Sequence, residues 1–106
     1  VLIERIIRNF LSNALKYTKD KIVLSCFRYK NKIIIRVLDN GIGIGTEELN
    51  CIFDDFYQCR QDKTNRQKGA GLGLSIAKKI AGLLDGKIDV VSQPDCYTSF
   101  SLILHP

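Results

Sequence analysis

The sequence contains no apolar run close to the roughly 20 residues that a membrane-spanning helix needs. It shows no signal peptide, because its first residues, Val1 to Arg5, already carry charge within an amphipathic pattern. It has no methionine and begins within a helical pattern, so we expect a fragment of a longer protein whose other parts can include membrane spans. We expect the fragment to be cytoplasmic, without direct membrane contact. Its 106 residues predict one domain over residues 1–106.

The four cysteines form no Cys-x-x-Cys pair, and His105 is the only histidine. Cysteines scattered through apolar segments are more often small buried hydrophobes than metal ligands or disulfides. Their pattern therefore disfavours a cysteine metal site and favours a reducing compartment. A basic stripe with interleaved aromatic residues is also missing, so we expect no nucleic-acid partner despite the net charge of +5. The positive charge indicates either an ordinary solvated surface or an anionic ligand.

The most informative stretch runs from Arg66 to Ile80. It places Gly69, Gly71 and Gly73 at alternate positions, directly before an apolar pattern with helical spacing. A helix that begins there directs its unpaired N–H groups, with about half a positive charge, at whatever lies in front of it. That is the outline of a phosphate site. The stretch fits neither a Rossmann fingerprint nor a Walker A loop, and glycines that serve only as a helix entry are the alternative.

Hydrophobic periodicity predicts the order helix, two strands, short helix, lid, helix, two strands. The expected helices cover 2–17, Thr46 to about Phe53, and 72–84; the expected strands cover 21–28, 32–39, 87–92 and 97–104; the lid covers 54–70. Strands in adjacent pairs favour an antiparallel-rich α+β sandwich over a doubly wound sheet. In the last strand, we expect Phe100, Leu102 and Leu104 on the buried side, with Thr98, Ser99 and Ser101 opposite them.

Polar residues form a row along the first predicted helix. Asn9, Asn13 and Lys16 follow i, i+4, i+7 spacing, away from the apolar stripe and with Tyr17 beside them. Asparagine is a poor helix former, so a pair one turn apart needs a reason. Amide oxygens suit Mg²⁺, and Lys16 can neutralise phosphate charge. Exposed asparagines tolerated on a solvent face are the alternative.

Asp39 ends the second predicted strand and enters a turn that contains Gly41 and Gly43. A carboxylate at this position can accept a hydrogen bond from an exocyclic amine, such as the 6-amino group of adenine. The glycines allow a base to lie close to the backbone. A turn aspartate that bonds its own backbone explains the same residues equally well.

Four segments, in this order, resemble the sequence boxes of the sensor histidine kinases of two-component systems. Arg8–Thr18 resembles the N box, Asp39–Ile44 the first glycine box, Phe53–Gln58 the F box and Gly69–Leu74 the second glycine box. The resemblance implies the Bergerat-type ATP-binding domain shared with Hsp90, MutL and type II topoisomerases. That fold is a two-layer α/β sandwich with a mainly antiparallel mixed sheet packed on helices. Because the sequence begins at the N-box helix, we expect the fold to lack the strand that usually precedes that helix.

The resemblance also implies roles for single residues. Asn13 is the expected Mg²⁺ ligand with Asn9 in the same site, and Lys16 and Tyr17 face the phosphates and ribose. Asp39 receives the adenine amine. The remaining implied contacts to ATP are Gly41, Gly43, Ile44, Gly69, Gly71, Leu72, Gly73 and Leu74. Lys16 and Arg66 are the candidate catalytic residues, with Arg60 as a second lid arginine.

The implied function is to bind Mg-ATP and supply the γ-phosphoryl group to a histidine on the separate dimerisation and histidine-phosphotransfer domain of the same protein. A response regulator is the indirect partner. His105 lies in no acceptor-like helix, so the accepting histidine is not expected in this chain. Ala70 stands where the family often has Thr or Ser, and Gln58 where it often has Arg. These departures favour the alternative, a degenerate nucleotide-binding or regulatory domain without phosphotransfer.

Overall fold

The computed structural model describes residues 2–49, 51–53 and 73–105. The elements are α1 (Leu2–Tyr17), β1 (Ile22–Tyr29), β2 (Lys32–Asp39), α2 (Thr46–Leu49), α3 (Gly73–Leu83), β3 (Lys87–Gln93) and β4 (Tyr97–Leu104). Their order matches the prediction. The helix expected from Thr46 to about Phe53 is shorter, since Cys51–Phe53 form a turn. The lid predicted at 54–70 lies outside the described residues.

The four strands form one sheet in the order β1-β2-β4-β3. All three pairings are antiparallel, so the parallel pairing of a mixed sheet does not occur among the described strands. A two-residue turn joins β1 to β2, and its residues Lys30 and Asn31 have φ values of 47° and 63°. Positive φ at both positions matches the right-handed twist of the strands that the turn connects. This hairpin places Asp39 at the end of β2, between Ile22 of β1 and Thr98 of β4.

The helices pack on one face of the sheet and enclose the core between the two layers. The rings of Phe10 and Phe100 stack across this boundary, with centroids 5.2 Å apart. Such a pair adds about 0.5–1.5 kcal/mol to the burial of the rings. The other buried hydrophobic residues of this core are Ile6, Ala14, Val37, Ile52, Ala77, Ile80, Ala81 and Leu102. The two-layer α+β sandwich is therefore confirmed.

The last strand corrects one expectation. Side chains alternate between the two faces of a strand, so Thr98 shares the helix-facing side with Phe100 and Leu102. Thr98 is only 4% exposed, and the prediction that it lies opposite the buried residues is wrong. Ser101, on the other face, is also buried. Hydroxyl groups are buried on both faces because β4 is an interior strand, with β2 on one side and β3 on the other.

No helix in the described part of the chain is long and apolar enough to cross a membrane.

Candidate functional site

Asp39 is the buried acid of the site. It is 4% exposed, and one of its carboxylate oxygens accepts a hydrogen bond of 2.8 Å from the backbone N–H of Gly41. Burial raises the pKa of Asp39, because the charged form loses water, and the bond from Gly41 opposes that rise. Within the described residues, the second oxygen accepts no hydrogen bond. The carboxylate therefore does what both sequence interpretations require: one oxygen bonds its own backbone, and the other can accept from a ligand.

The loop after Asp39 is held closely against two other parts of the fold. A side chain at Gly41 would collide with the backbone carbonyl of Tyr17, at the end of α1. Gly43 has φ of 74°, and a side chain there would collide with the backbone of Gln93 and Pro94. Between them, the Ile42 carbonyl accepts a hydrogen bond of 2.7 Å from Asp95 N–H. Glycine is thus required at both positions by close approach, and at Gly43 by backbone conformation as well.

Ser92 connects this loop to β4. Its hydroxyl accepts a 2.6 Å hydrogen bond from the N–H of Ile44 and donates a 2.9 Å bond to the carbonyl of Tyr97. The Thr98 hydroxyl lies 2.9 Å away and can donate the third bond. Thr98 is in turn paired with Asp39 across the sheet. Sequence reasoning assigned no role to Ser92 or Thr98, although hydroxyl residues at core-facing strand positions are a signal that could have marked them.

Asn40, also missed from the sequence, fixes the end of β2 to the turn between α1 and β1. Its side-chain oxygen accepts hydrogen bonds from the N–H groups of Asp20 and Lys21, at 3.2 and 3.1 Å. Its amide nitrogen donates to the Asp20 carboxylate at 2.6 Å. The Thr18 hydroxyl lies 3.2 Å from the same Asn40 oxygen. This network stabilises the position of Asp39 without contacting it.

Asn9 joins the polar row of α1 to the start of α3. Its side-chain nitrogen donates a 3.0 Å hydrogen bond to the carbonyl of Gly73, the first residue of α3. That bond orients the amide and leaves its oxygen to accept from, or coordinate, another group. Asn13 follows one helical turn later and is half-buried. Lys16 is exposed, with its ammonium 5.6 Å from the centre of the Tyr17 ring.

The structure therefore brings the predicted residues together in two groups, joined by α1. Asp39 ends β2, and Gly41, Gly43 and Ile44 lie in the loop that follows it, which contacts Tyr17 at the end of α1. Asn9 lies beside Gly73, with Asn13 and Lys16 on the same helix, and Leu74 packs against the core. Gly69, Gly71, Leu72 and Arg66 fall in the part of the chain that the structure does not describe.

The types of metal-ligating side chain near α1 determine which metal ion fits there. The described residues contain no cluster of three or more His, Cys, Asp or Glu side chains. Asn9 and Asn13 are the neutral amide side chains one turn apart on α1. Amide oxygens fit Mg²⁺, which takes few protein ligands and keeps phosphate oxygens and waters as the others.

The family follows from comparison with known proteins. Residues 1–106 match the model of the histidine kinase-, DNA gyrase B-, and HSP90-like ATPase family, and the chain belongs to this family. It is 42% identical over 101 residues to the signal transduction histidine-protein kinase ArlS of Staphylococcus epidermidis. It is equally identical, over 102 residues, to ArlS of Staphylococcus aureus. These alignments cover 93% and 94% of the chain but only 22% and 23% of the relatives, so the chain spans about a fifth of their length.

Solved structures agree with the family assignment. Full-length ShkA in complex with AMPPNP superposes with a TM-score of 0.84 at 26% identity, over 97% of this chain and 21% of that one. The histidine kinase AdeS of Acinetobacter baumannii gives a TM-score of 0.70 at 25% identity, over 98% and 45%. The resemblance to the catalytic ATP-binding domain of sensor histidine kinases is thereby confirmed, together with the fold.

Proposed function

We propose that the chain binds Mg-ATP and presents its γ-phosphoryl group to a histidine on a separate helical domain of the same protein. The observation that carries this proposal is the Asp39 carboxylate, buried beside a close-packed glycine loop and with one oxygen left to accept a hydrogen bond. Membership of an ATPase family and the likeness to full-length ShkA in complex with AMPPNP support it.

Asp39 selects the base. The adenine 6-amino group donates to the free carboxylate oxygen, whereas the 6-oxo group of guanine would face it with a second acceptor. Gly41 and Gly43 let the base approach the backbone, and Ile44 offers it an apolar contact. Because the bond from Gly41 and the surrounding burial hold the carboxylate in place, little side-chain entropy is lost on binding.

The phosphates lie toward the start of α3 in this proposal. Asn13, assisted by Asn9, holds Mg²⁺, which neutralises charge on the phosphate oxygens when it is bound. Lys16 adds a positive charge, and Tyr17 faces the ribose. The backbone N–H groups of Gly71, Leu72 and Gly73, the last of which begins α3, bind phosphate oxygens in this proposal. Arg66 contacts the γ-phosphate from the lid.

The reaction itself is a phosphoryl transfer to a group outside this chain. A nitrogen of the accepting imidazole forms a bond to the γ-phosphorus as the bond to the β–γ bridging oxygen breaks, and ADP leaves. Such reactions are accelerated by positioning and by charge stabilisation, which are what the described residues can supply. The dimerisation and histidine-phosphotransfer domain is thus the direct partner, and a response regulator is the indirect one.

Isothermal calorimetry of the chain with ATP tests this assignment. We expect binding in Mg²⁺ that weakens at least about tenfold in Asn13→Ala, because the metal loses its protein ligand, with a smaller loss when EDTA replaces Mg²⁺. Ser12→Ala is the matched control, one position away on an exposed part of α1, and should leave affinity unchanged. If Asn13→Ala and the control bind ATP with equal affinity, the assignment of Asn13 to the site is contradicted.

Ala70 favours a second candidate, a nucleotide-binding regulatory domain without phosphotransfer, because a hydroxyl is missing from the second glycine box. Incubating the full-length protein with γ-labelled ATP separates the two. Acid-labile, base-stable label on histidine supports the kinase. Bound ATP without transfer, with the accepting domain present and folded, supports the regulatory domain.

A further inference from the structure

Asn40 stands at the point where the chain leaves the sheet and enters the glycine loop. It follows Asp39, the last residue of β2, which is paired with Ile22 on one side and with Thr98 on the other. The next residue is Gly41, whose N–H bonds the Asp39 carboxylate. What holds Asn40 in place therefore determines how the loop begins beside the buried acid.

Backbone and side-chain bonds both hold Asn40 against the turn between α1 and β1. Its backbone N–H donates to the carbonyl of Lys21 at 3.3 Å. Its side-chain oxygen accepts from the N–H groups of Asp20 and Lys21, and its amide nitrogen donates to the Asp20 carboxylate. This last bond is the strongest, because a charged partner roughly doubles the strength of a hydrogen bond. Since both ends of the amide are engaged, the orientation of the side chain is fixed.

The bonds of Asn40 act on the Asp39 carboxylate through Gly41. The nitrogen of Gly41 is covalently attached to the carbonyl carbon of Asn40, so fixing Asn40 also fixes the direction of the Gly41 N–H. That N–H donates the 2.8 Å bond to the Asp39 carboxylate. A change in its direction would turn the carboxylate, whose other oxygen is the proposed acceptor for adenine. Binding groups keep their geometry only when surrounding hydrogen bonds lock them in this way.

The same side chain connects the loop to the end of α1. The hydroxyl of Thr18, the residue after α1, lies 3.2 Å from the side-chain oxygen of Asn40. The carbonyl of Tyr17, the last residue of α1, accepts a 3.4 Å hydrogen bond from the N–H of Ile42. Asn40 thus relates the proposed ribose contact, Tyr17, to the proposed adenine contact, Asp39.

We propose that Asn40 is a positioning residue for nucleotide selection, which acts through the Gly41 N–H on the Asp39 carboxylate without touching the nucleotide. The inference rests on the proposed ATP site and extends it, because the choice of adenine then depends on Asp20, a carboxylate outside that site. The pairing of amide and carboxylate also defines a reversal. Exchanging the two groups between positions 20 and 40 keeps one donor opposite one acceptor, whereas two acids would repel each other.

Calorimetry with ATP and GTP in Mg²⁺, at a temperature where circular dichroism shows each variant folded, tests this inference. Asn40→Asp should lower ATP affinity about tenfold and reduce the ratio of ATP to GTP affinity, because a second carboxylate faces that of Asp20. Adding Asp20→Asn restores the net charge and exchanges donor and acceptor, so both values should return to within about twofold of the wild type. Asn31→Asp, in the exposed turn between β1 and β2, adds the same charge and should change neither value.

A purely structural role for Asn40 predicts a different result. Urea unfolding would then show lower stability for Asn40→Asp, while the folded variant kept the wild-type affinity and ATP-to-GTP ratio, and this result overturns the inference. A double variant that binds no better than Asn40→Asp overturns it as well. If Asn40→Asp does not fold, Asn40→Ala gives the same test without added charge, with an expected loss of about threefold to tenfold. Unchanged binding in the Asn40 variants while Asp39→Asn weakens binding overturns this inference alone, whereas a wild type that binds no ATP overturns the proposed function too.

Discussion

The two ends of the candidate site are built in different ways. At the proposed base end, Asp39 closes β2, and hydrogen bonds join the loop that follows it to Ser92 and to the turn between β3 and β4. At the proposed phosphate end, half-buried Asn9 and Asn13 and exposed Lys16 lie along one side of α1, and a single described bond from Asn9 reaches α3. Among the described residues, the proposed base end is therefore held by more hydrogen bonds than the proposed phosphate end, where α1 places its polar side chains at helical spacing.

This difference matters because pre-formed hydrogen bonds reduce the entropy that binding must lose. Substitutions at the base end should therefore change both folding and binding, whereas substitutions at the phosphate end should mainly change binding. The following experiments test that contrast.

The largest effect is expected for Gly43→Ala. The new methyl group requires an unfavourable positive φ and collides with the backbone of Gln93 and Pro94, so we expect about 3 kcal/mol of lost stability. Gly82→Ala is the control, because Gly82 lies in α3 with open space around it and should gain up to about 1 kcal/mol. Urea unfolding of both variants measures the difference, and equal stabilities would show that the loop is not close-packed.

Asp39→Asn should be the most damaging change to binding. The Gly41 N–H will retain the amide oxygen of the new Asn, which turns the NH₂ group toward the adenine amine. Two facing donors should cost about 2–3 kcal/mol of ATP affinity, about 30- to 150-fold, and should narrow the preference for ATP over GTP. Asp85→Asn, at an exposed position, is the matched control. Calorimetry measures the affinity of the variant for ATP and for GTP. If the ratio of the two affinities is the same as in the wild type, the proposed role of Asp39 is contradicted.

Ser92→Ala tests the connection between the glycine loop and β4. Loss of the hydroxyl leaves the Ile44 N–H and the Tyr97 carbonyl without their partner, which should cost about 1–3 kcal/mol of stability. ADP affinity should fall as well, because the loop proposed to contact adenine loses its hydrogen bond to Ser92. Ser99→Ala, on the face of β4 that points away from the helices, is the control, and its free energy of unfolding should stay within about 0.5 kcal/mol of the wild-type value. If Ser92→Ala lowers stability but leaves the ADP affinity unchanged, the glycine loop does not take part in ADP binding.

Asn9→Ala should have a smaller effect on folding, about 1 kcal/mol, since it removes one neutral hydrogen bond to Gly73. Its loss of ATP affinity should depend on Mg²⁺ if the amide oxygen serves the metal. Ser12→Ala again serves as the control on α1. If Asn9→Ala loses as much stability as Ser92→Ala, the two ends of the site do not differ in how strongly they are coupled to folding.

The smallest effect is a pH dependence. Burial raises the pKa of Asp39, so its ionisation is less favourable in the folded chain than in the unfolded one. The resulting contribution to stability is present below the ordinary aspartate pKa and is lost as pH rises through the raised value. Affinity for ATP should change in the opposite sense, falling as Asp39 becomes protonated. Titrations between mildly acidic and neutral pH, compared with Asp39→Asn, should show both trends; a pH profile shared by the variant would assign them to another group.

Much of this arrangement could be predicted because it is local. Helical spacing along α1 was sufficient to place Asn9, Asn13 and Lys16 in one row, and the strand pattern was sufficient to end β2 at Asp39. The resemblance of four segments to kinase boxes led to the correct family. The length of α2 was predicted wrongly. The side of Thr98 was also wrong, because its polarity was weighed above the alternation of the strand, which by itself places Thr98 with Phe100 and Leu102.

By itself, the sequence determined the order of the elements, the positions of the glycines and the residue types available to a nucleotide. Only the tertiary structure decided that Ser92, Thr98 and Asn40 support the base end and that Gly43 lies against Gln93 and Pro94. The contacts of Asn40 with Asp20, of Ser92 with Ile44 and of Gly43 with Gln93 join residues that are tens of positions apart, and periodicity within one element carries no information about them. Strand register decided the rest, because shifting a strand by one residue would move every side chain to the other face.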